Sequence, residues 1–294
     1  MPIDFNALEA IIRQDPCGRG LASFRRDGQR LAPGMLAHAA RDLAQAGGAV
    51  AIVTGFCVAD VDPPVAETDG PPGALYLARA LTALGREVAL VSDASALELL
   101  ALGCRLWKLD VELVELPFTR GDSQSVDRWL PSSLLERLSH FVAIERVGPS
   151  HTLESLAAQA GNGPAARARF EAEVPLVHRD ACHNMRGVMI DEHTAPAHLL
   201  FERADVRKNR FKTIGIGDGG NEIGMGAIPW EILRDALPGE HAGRIICRIA
   251  TDFLILAGVS NWGGYALACA VAELRGRGDL IHAWDEARQR ALIE

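Results

Sequence analysis

Phe5, Leu8, Ile11 and Ile12 recur at helical spacing before Asp15-Pro16 and a glycine-rich turn, so the chain should open with a helix. A second helix is predicted over residues 35–46, where Gly47-Gly48 stop it. Then the period changes. Ala49-Val50-Ala51-Ile52-Val53 is an unbroken apolar run, the pattern of a central parallel strand covered on both faces. A proline-rich loop with several carboxylates fills residues 56–70, and Leu75, Ala78, Leu81 and Leu84 mark the next helix face, ended by Gly85. Strands are expected over 87–91, 111–116 and 140–144, with helices over 94–102 and 133–138 between them. The sheet pattern resumes at 213–217, continues through 245–246 and 253–258, and closes with a helix over 264–274.

Such β-then-α units predict an α/β fold: a mostly parallel sheet with helices on both faces, a layered, Rossmann-like architecture. We read residues 1–294 as a single domain, with residues 1–44 as an N-terminal helical portion. Residues 161–211 break the rhythm with glycines, histidines and charges, and are expected to form an active-site insertion. In an open parallel sheet the useful residues gather beyond the carboxyl ends of the strands. Here those ends are Thr54-Gly55, Ser92-Asp93, Glu145-Arg146, Gly217-Asp218 and Val259-Ser260-Asn261, and Glu145 and Asp218 should share one edge.

Composition narrows the function classes. Thirty Lys and Arg against 38 Asp and Glu leave a net charge of -8, which argues against a general nucleic-acid partner. No basic region followed by an apolar run opens the chain, and charges and adjacent glycines interrupt its greasiest stretch, residues 245–271. No membrane partner is expected, the location should be cytoplasmic, and a homo-oligomer is compatible with the sequence. The six cysteines are scattered without zinc or disulfide spacing.

The densest chemistry lies in G-I-G-D-G-G-N-E-I-G-M-G, residues 215–226, which places Asp218 and Glu222 in one glycine loop. Asp218 could bind an ammonium or a divalent cation, or accept a proton; the plainer reading has it order the loop. If Asn221 starts a helix, backbone amides near Gly219 and Gly220 would face an anion. A G-x-G-x-x-G spacing runs through Gly215, Gly217 and Gly220, but no acid follows at the end of a second strand, and no nucleotide cofactor is expected. In E-T-D-G-P-P-G, residues 67–73, Thr68 and Asp69 precede a helix with prolines in its first turn, and Gly70 leaves room for a ligand; capping is the plainer alternative. Glu145 follows an apolar strand as an acid, a base or an amine ligand, or as part of a network with Arg146. Arg186 offers a rigid fork for a substrate carboxylate, or an internal ion pair with Asp191 or Glu192. Ser260 and Asn261 form a further strand-to-helix corner whose amides could bind substrate, with Asn261 as a helix cap the plainer alternative. Asp180, Cys182 and His183 invite a nucleophile or metal reading that no accompanying base or ligand spacing supports.

The ordered set of motifs resembles the D-glutamate cyclase family, including the C-terminal cyclase domain of its larger eukaryotic members. The matching segments are I-V-T-G-F (52–56), E-T-D-G-P-P-G (67–73), E-R-V-G-P-S-H (145–151), N-M-R-G (184–187), G-D-G-G-N-E-I-G-M-G (217–226) and S-N-W-G-G (260–264). The resemblance implies a hydro-lyase that interconverts D-glutamate and 5-oxo-D-proline with loss of water. A lyase or hydrolase for another small acidic amino acid or lactam, or a non-catalytic amino-acid-binding protein, is the competing reading. The resemblance also brings Asn184 into the substrate-binding set. On that chemistry Asp218 or Glu145 would take a proton from the α-amine, and Glu222 or Asp69 would protonate the departing oxygen. Amides near Gly219 to Asn221, or a divalent metal such as Mg or Mn, would stabilise the developing charge. Arg186 would hold the α-carboxylate.

Overall fold

Ala49–Thr54 (β1) forms a strand buried at every position, as its unbroken apolar run requires. The computed structural model describes residues 3–118, 126–160, 163–206 and 211–282. Three further strands and two short edge strands join β1: β2 (Val88–Ser92), β3 (Glu112–Glu115), β4 (Leu138–Ile144), β5 (Lys212–Gly217) and β6 (Phe253–Leu256), with β3 and β6 at the edges. All pairings in this sheet are parallel, in the order β6-β5-β4-β1-β2-β3. The chain therefore builds outward from β1 in one direction and then, from β4, in the other. The order reverses between β1 and β4, and it is beyond the strand ends at such a switch point that open parallel sheets bind ligands.

Strand periodicity divides the core in two. Val50, Ile52, Val142, Ile144, Ile214 and Ile216 point to one face, covered by α1 (Phe5–Ile12), α2 (Met35–Gln45), α3 (Pro71–Ala83), α4 (Ala94–Trp107) and a late helix. Ala49, Ala51, Val53, Phe141 and Ala143 point to the other. That second face is covered by α5 (Ser132–Arg137), α6 (Leu153–Ala158), α7 (Pro164–Glu173), α8 (His198–Val206), α9 (Trp230–Ala236) and α10 (Ala242–Ile245). The late helix on the first face is α11 (Ser260–Leu274), which packs along α2 and α3. Of the irregular segment 161–211, residues 161–162 and 207–210 lie outside the described residues; the remainder holds α7, α8 and the loop between them. Among the described residues no helix is long and apolar enough to cross a membrane.

Three expectations need correction. Residues 245–246 end α10 rather than adding a strand; an apolar pair carries no period, so sequence alone cannot tell the two apart. Helix α4 runs past residue 102 to Trp107, because packing against α3 outweighs the low helix propensity of Gly103. Helix α11 begins four residues before residue 264, at Ser260, because its first amides find a carboxylate from a distant loop.

Candidate active site

The carboxyl ends of β1, β4, β5 and β6 deliver Thr54, Glu145, Asp218 and, just beyond β6, Ser260 to one edge of the sheet. Asp69 arrives from the loop before α3. One carboxylate oxygen each from Asp69, Glu145 and Asp218 lies within 4.8 Å of the others. The shared edge expected for Glu145 and Asp218 is present.

Each acid is held by a distinct local device. Asp69 serves the far helix rather than its own: its Oδ2 accepts from Ser260 N at 3.0 Å and its Oδ1 from Asn261 N at 2.7 Å, so it caps α11. Asn261 answers in the other direction, its Oδ1 accepting from Gly70 N at 3.0 Å and Gly73 N at 2.7 Å while its Nδ2 donates to Thr68 O at 3.0 Å. The 67–73 and 260–264 motifs are thus two halves of one interlocked corner. Gly70 is forced by closeness: at φ 101° a Cβ there would stand 2.6 Å from Thr54 Oγ1 and 2.9 Å from Glu145 Cβ.

Glu145 sits one residue past β4 at φ 47°, a left-handed conformation that a non-glycine residue adopts at a cost. Its amide donates to Ile216 O at 3.1 Å, and its carboxylate accepts a hydrogen bond from Ser260 Oγ. Glu222 is fully buried beneath the glycine loop. Its Oε1 accepts from Asp218 N at 3.0 Å and Gly219 N at 2.6 Å, and its Oε2 from Gly220 N at 2.7 Å. No helix starts at Asn221; the next is α9, at Trp230. The amides of Gly219 and Gly220, which a helix start would turn toward a ligand, are engaged by Glu222 instead. Further along the run, Gly215 and Gly224 let two backbones touch: a Cβ on Gly224 would stand 2.9 Å from the Cα of Gly215. The glycine run begins inside the fifth strand, β5, whereas the dinucleotide fingerprint follows the first strand.

The electrostatics follow from this crowding. Burial, then repulsion by Glu222, Asp69 and Glu67, pushes the Glu145 carboxyl well above the usual carboxylate range. Glu222 is also raised by burial, against the pull of the Gly219 amide and of Arg19. Asp69 is raised by burial despite its backbone donors, and Glu67 by burial and by Asp69. The cation that answers them is Arg19, whose Nη1 donates to Asp218. Burial disfavours its charge, but Glu145, Glu222 and Glu67 together hold the guanidinium above its ordinary value. Hard carboxylate oxygens at this spacing have the donor chemistry of a divalent-cation site.

The remaining candidates scatter. Arg186 is 77% exposed and pairs with Asp60 at 2.8 Å, not with Asp191 or Glu192, and it joins none of the acids above. Asn184 Oδ1 accepts from Arg186 N and Val188 N, shaping the turn that carries Arg186. Asn221 is buried and its Nδ2 donates to His183 O at 2.8 Å. Thr68 is exposed. Cys182 packs with Phe56, Val147 and Ile190 as a core residue, Asp180 pairs with Arg248, and His183 lies 3.0 Å from His178, its imidazole lowered by burial to about 4. Arg146 bonds Asp93 rather than Glu145. Sequence reasoning missed Arg19; an arginine between two glycines in the opening turn was its only signal.

The raised Glu145 carboxyl has a measurable consequence. Its folded value lies above the unfolded one, so its contribution to stability is present below the unfolded value and is lost as pH rises through the folded value. In metal-free buffer Glu145→Gln should therefore melt above the parent protein, by a margin that widens as pH climbs out of the ordinary glutamate range. Added Mg or Mn should narrow that margin by stabilising the parent alone. Melting curves against pH test this, and a margin independent of pH would show that Glu145 is not held protonated.

The profile of the D-glutamate cyclase-like, C-terminal family matches residues 8–163 and 175–293. Human mitochondrial D-glutamate cyclase is 32% identical over 281 residues, a match that covers 90% of this chain and 38% of that protein. The chain thus spans well under half the length of this relative.

Proposed function

Since the chain belongs to the D-glutamate cyclase-like, C-terminal family, we propose that it is a hydro-lyase interconverting D-glutamate with 5-oxo-D-proline and water. The observation that carries this reading is the convergence of Asp69, Glu145 and Asp218 at the sheet edge, with Arg19 beside them. Cyclisation forms a bond between the α-nitrogen and the γ-carboxyl carbon and breaks one γ C–O bond. The ammonium loses two protons, and the departing oxygen leaves with them as water. The site must therefore accept a proton at nitrogen and return one at oxygen.

In this reading the acids divide by role. Both oxygens of Asp69 and both of Glu222 accept backbone amides, so these two residues frame the site. Asp218, paired with Arg19, takes the ammonium proton. Glu145, whose carboxyl is pushed up by burial and by its acidic neighbours, carries the proton that goes to the leaving oxygen. Ser260 Oγ, which donates to the Glu145 carboxylate, orients it for that transfer. In the alternative in which a divalent ion such as Mg or Mn is bound, Asp69, Glu145 and Asp218 are the residues that would hold it, Glu145 then as an ionised ligand rather than a proton carrier. Bound there, the ion would polarise a substrate carboxyl oxygen.

Purified protein supplied separately with D- and L-glutamate, with and without Mg or Mn, tests the assignment. With oxygen-18 in the γ-carboxyl, D-glutamate should yield 5-oxo-D-proline and labelled water, and 5-oxo-D-proline should run back to D-glutamate. Absence of lactam from either enantiomer under all these conditions would reject the cyclase reading. Turnover of another acidic amino acid or lactam would relocate the substrate.

A further inference from the structure

Arg19 reaches the acids from the far end of the chain, and its path is pinned at several points. Gly258, two residues beyond β6, donates its amide to Ile12 O at 2.7 Å, laying the end of α1 against that edge of the sheet. A Cβ on Gly258 would stand 1.7 Å from Gln14 O, so the contact is backbone on backbone. The turn that follows is closed by Asp15, whose carboxylate accepts from Arg19 N at 3.0 Å and Gly20 N at 2.7 Å. The side chain that emerges is 25% exposed, while that of its partner Asp218 is 1% exposed. The guanidinium thus lies between the buried acids and solvent. Only its Nη1 is engaged; the rest of its donor fork has no hydrogen-bond partner among the described residues.

We infer that Arg19 is the anchor for the α-carboxylate of the substrate, an inference that rests on the proposed cyclase reading. An amino acid bound beside Asp69, Glu145 and Asp218 brings further negative charge to an acidic cluster, and a cation must answer it. The α-amine and α-carboxylate are carried on one carbon. A substrate whose ammonium meets Asp218 therefore places its α-carboxylate beside the immediate partner of Asp218, and that partner is Arg19. The open part of the fork supplies the paired N–H donors that a carboxylate accepts. Arg186, bound to Asp60 and exposed, has no such neighbours.

The test crosses two variants with two probes. D-Glutamate and D-isoglutamine, which differ in the charge of the α-carboxyl group, are titrated calorimetrically into the parent protein, Arg19→Gln and Arg19→Lys. The parent should prefer D-glutamate by about 10- to 100-fold, the loss expected when a charge-assisted pair is removed. Arg19→Gln should bind both probes with equal weakness, and Arg19→Lys, which keeps the charge without the fork, should fall between. Melting curves check that the variants are folded; should Arg19→Gln fail to fold, Arg19→Lys carries the comparison. A preference that survives in Arg19→Gln, a parent with no preference, or a parent that binds neither probe would each overturn the anchor. So would a preference abolished by Arg186→Ala and kept by Arg19→Gln. Binding with the expected preference but no lactam formation would support the anchor and reject the cyclase. Lactam formation with an Arg19-independent preference would do the reverse.

Discussion

Asp218→Asn should fold like the parent protein and lose about 10²–10⁴-fold of its turnover in both directions, the range that one positioned proton transfer contributes. The substitution keeps the shape of the side chain and leaves the Asp218 amide free to donate to Glu222 at 3.0 Å, so the glycine loop keeps its frame. What it removes is the carboxylate that faces Arg19 at the sheet edge. Circular dichroism, metal content and rate measured on one preparation separate the outcomes. Lost rate with retained metal assigns Asp218 to proton transfer, whereas loss of both assigns it to coordination. Near-parental rates in a folded variant would remove Asp218 from the chemistry.

Arg146→Ala should destabilise the protein by about 3–5 kcal/mol, the effect of stripping one partner from a buried ion pair. The Arg146 side chain is fully buried and that of Asp93 is 5% exposed. Two guanidinium nitrogens meet the two Asp93 oxygens at 2.7 Å each, and they also donate to Gly55 O at 2.9 Å and Ala195 O at 2.6 Å. Asp93 precedes α4 but its carboxylate makes no cap; it accepts from Ala195 N at 3.1 Å instead. One pair therefore joins the ends of β1, β2 and β4 to the segment before α8. Urea unfolding followed by far-ultraviolet circular dichroism measures the loss. A shift below 1 kcal/mol would mean that the site edge does not depend on this clamp.

Much of this architecture was legible because it is local. All six sheet strands and half of the described helices announce themselves through period and terminating residues, and a parallel sheet follows from their alternation. The five strand-end segments were found for the same reason, since an apolar run that stops at polar or glycine residues marks its own end. The pair at residues 245–246 was misread because two residues hold no period.

Partnership was not local, and there the sequence fell silent. Asp69 reads as a cap for the helix just after it, yet it caps α11, whose first residue lies nearly two hundred positions away. Arg146 follows Glu145 directly but pairs with Asp93, which stands just past the end of β2 and far off in the sequence. Asn221 reads as a helix start, but the buried Glu222 gathers the amides that a helix would have exposed. Arg19 had no period or acidic neighbour to mark it, and its role at the acids depends on backbone contact between Gly258 and the end of α1. Hydrophobic period and turn residues act over a few positions, so the chain alone specifies the alternating elements, the parallel sheet and the acids at its edge. Which acid caps a distant helix, which carboxyl is pushed well above its usual range and which cation answers it depend on the tertiary fold. Burial and charge repulsion depend on distance in space, and only the folded sheet brings Asp69, Glu145, Asp218, Glu222 and Arg19 together.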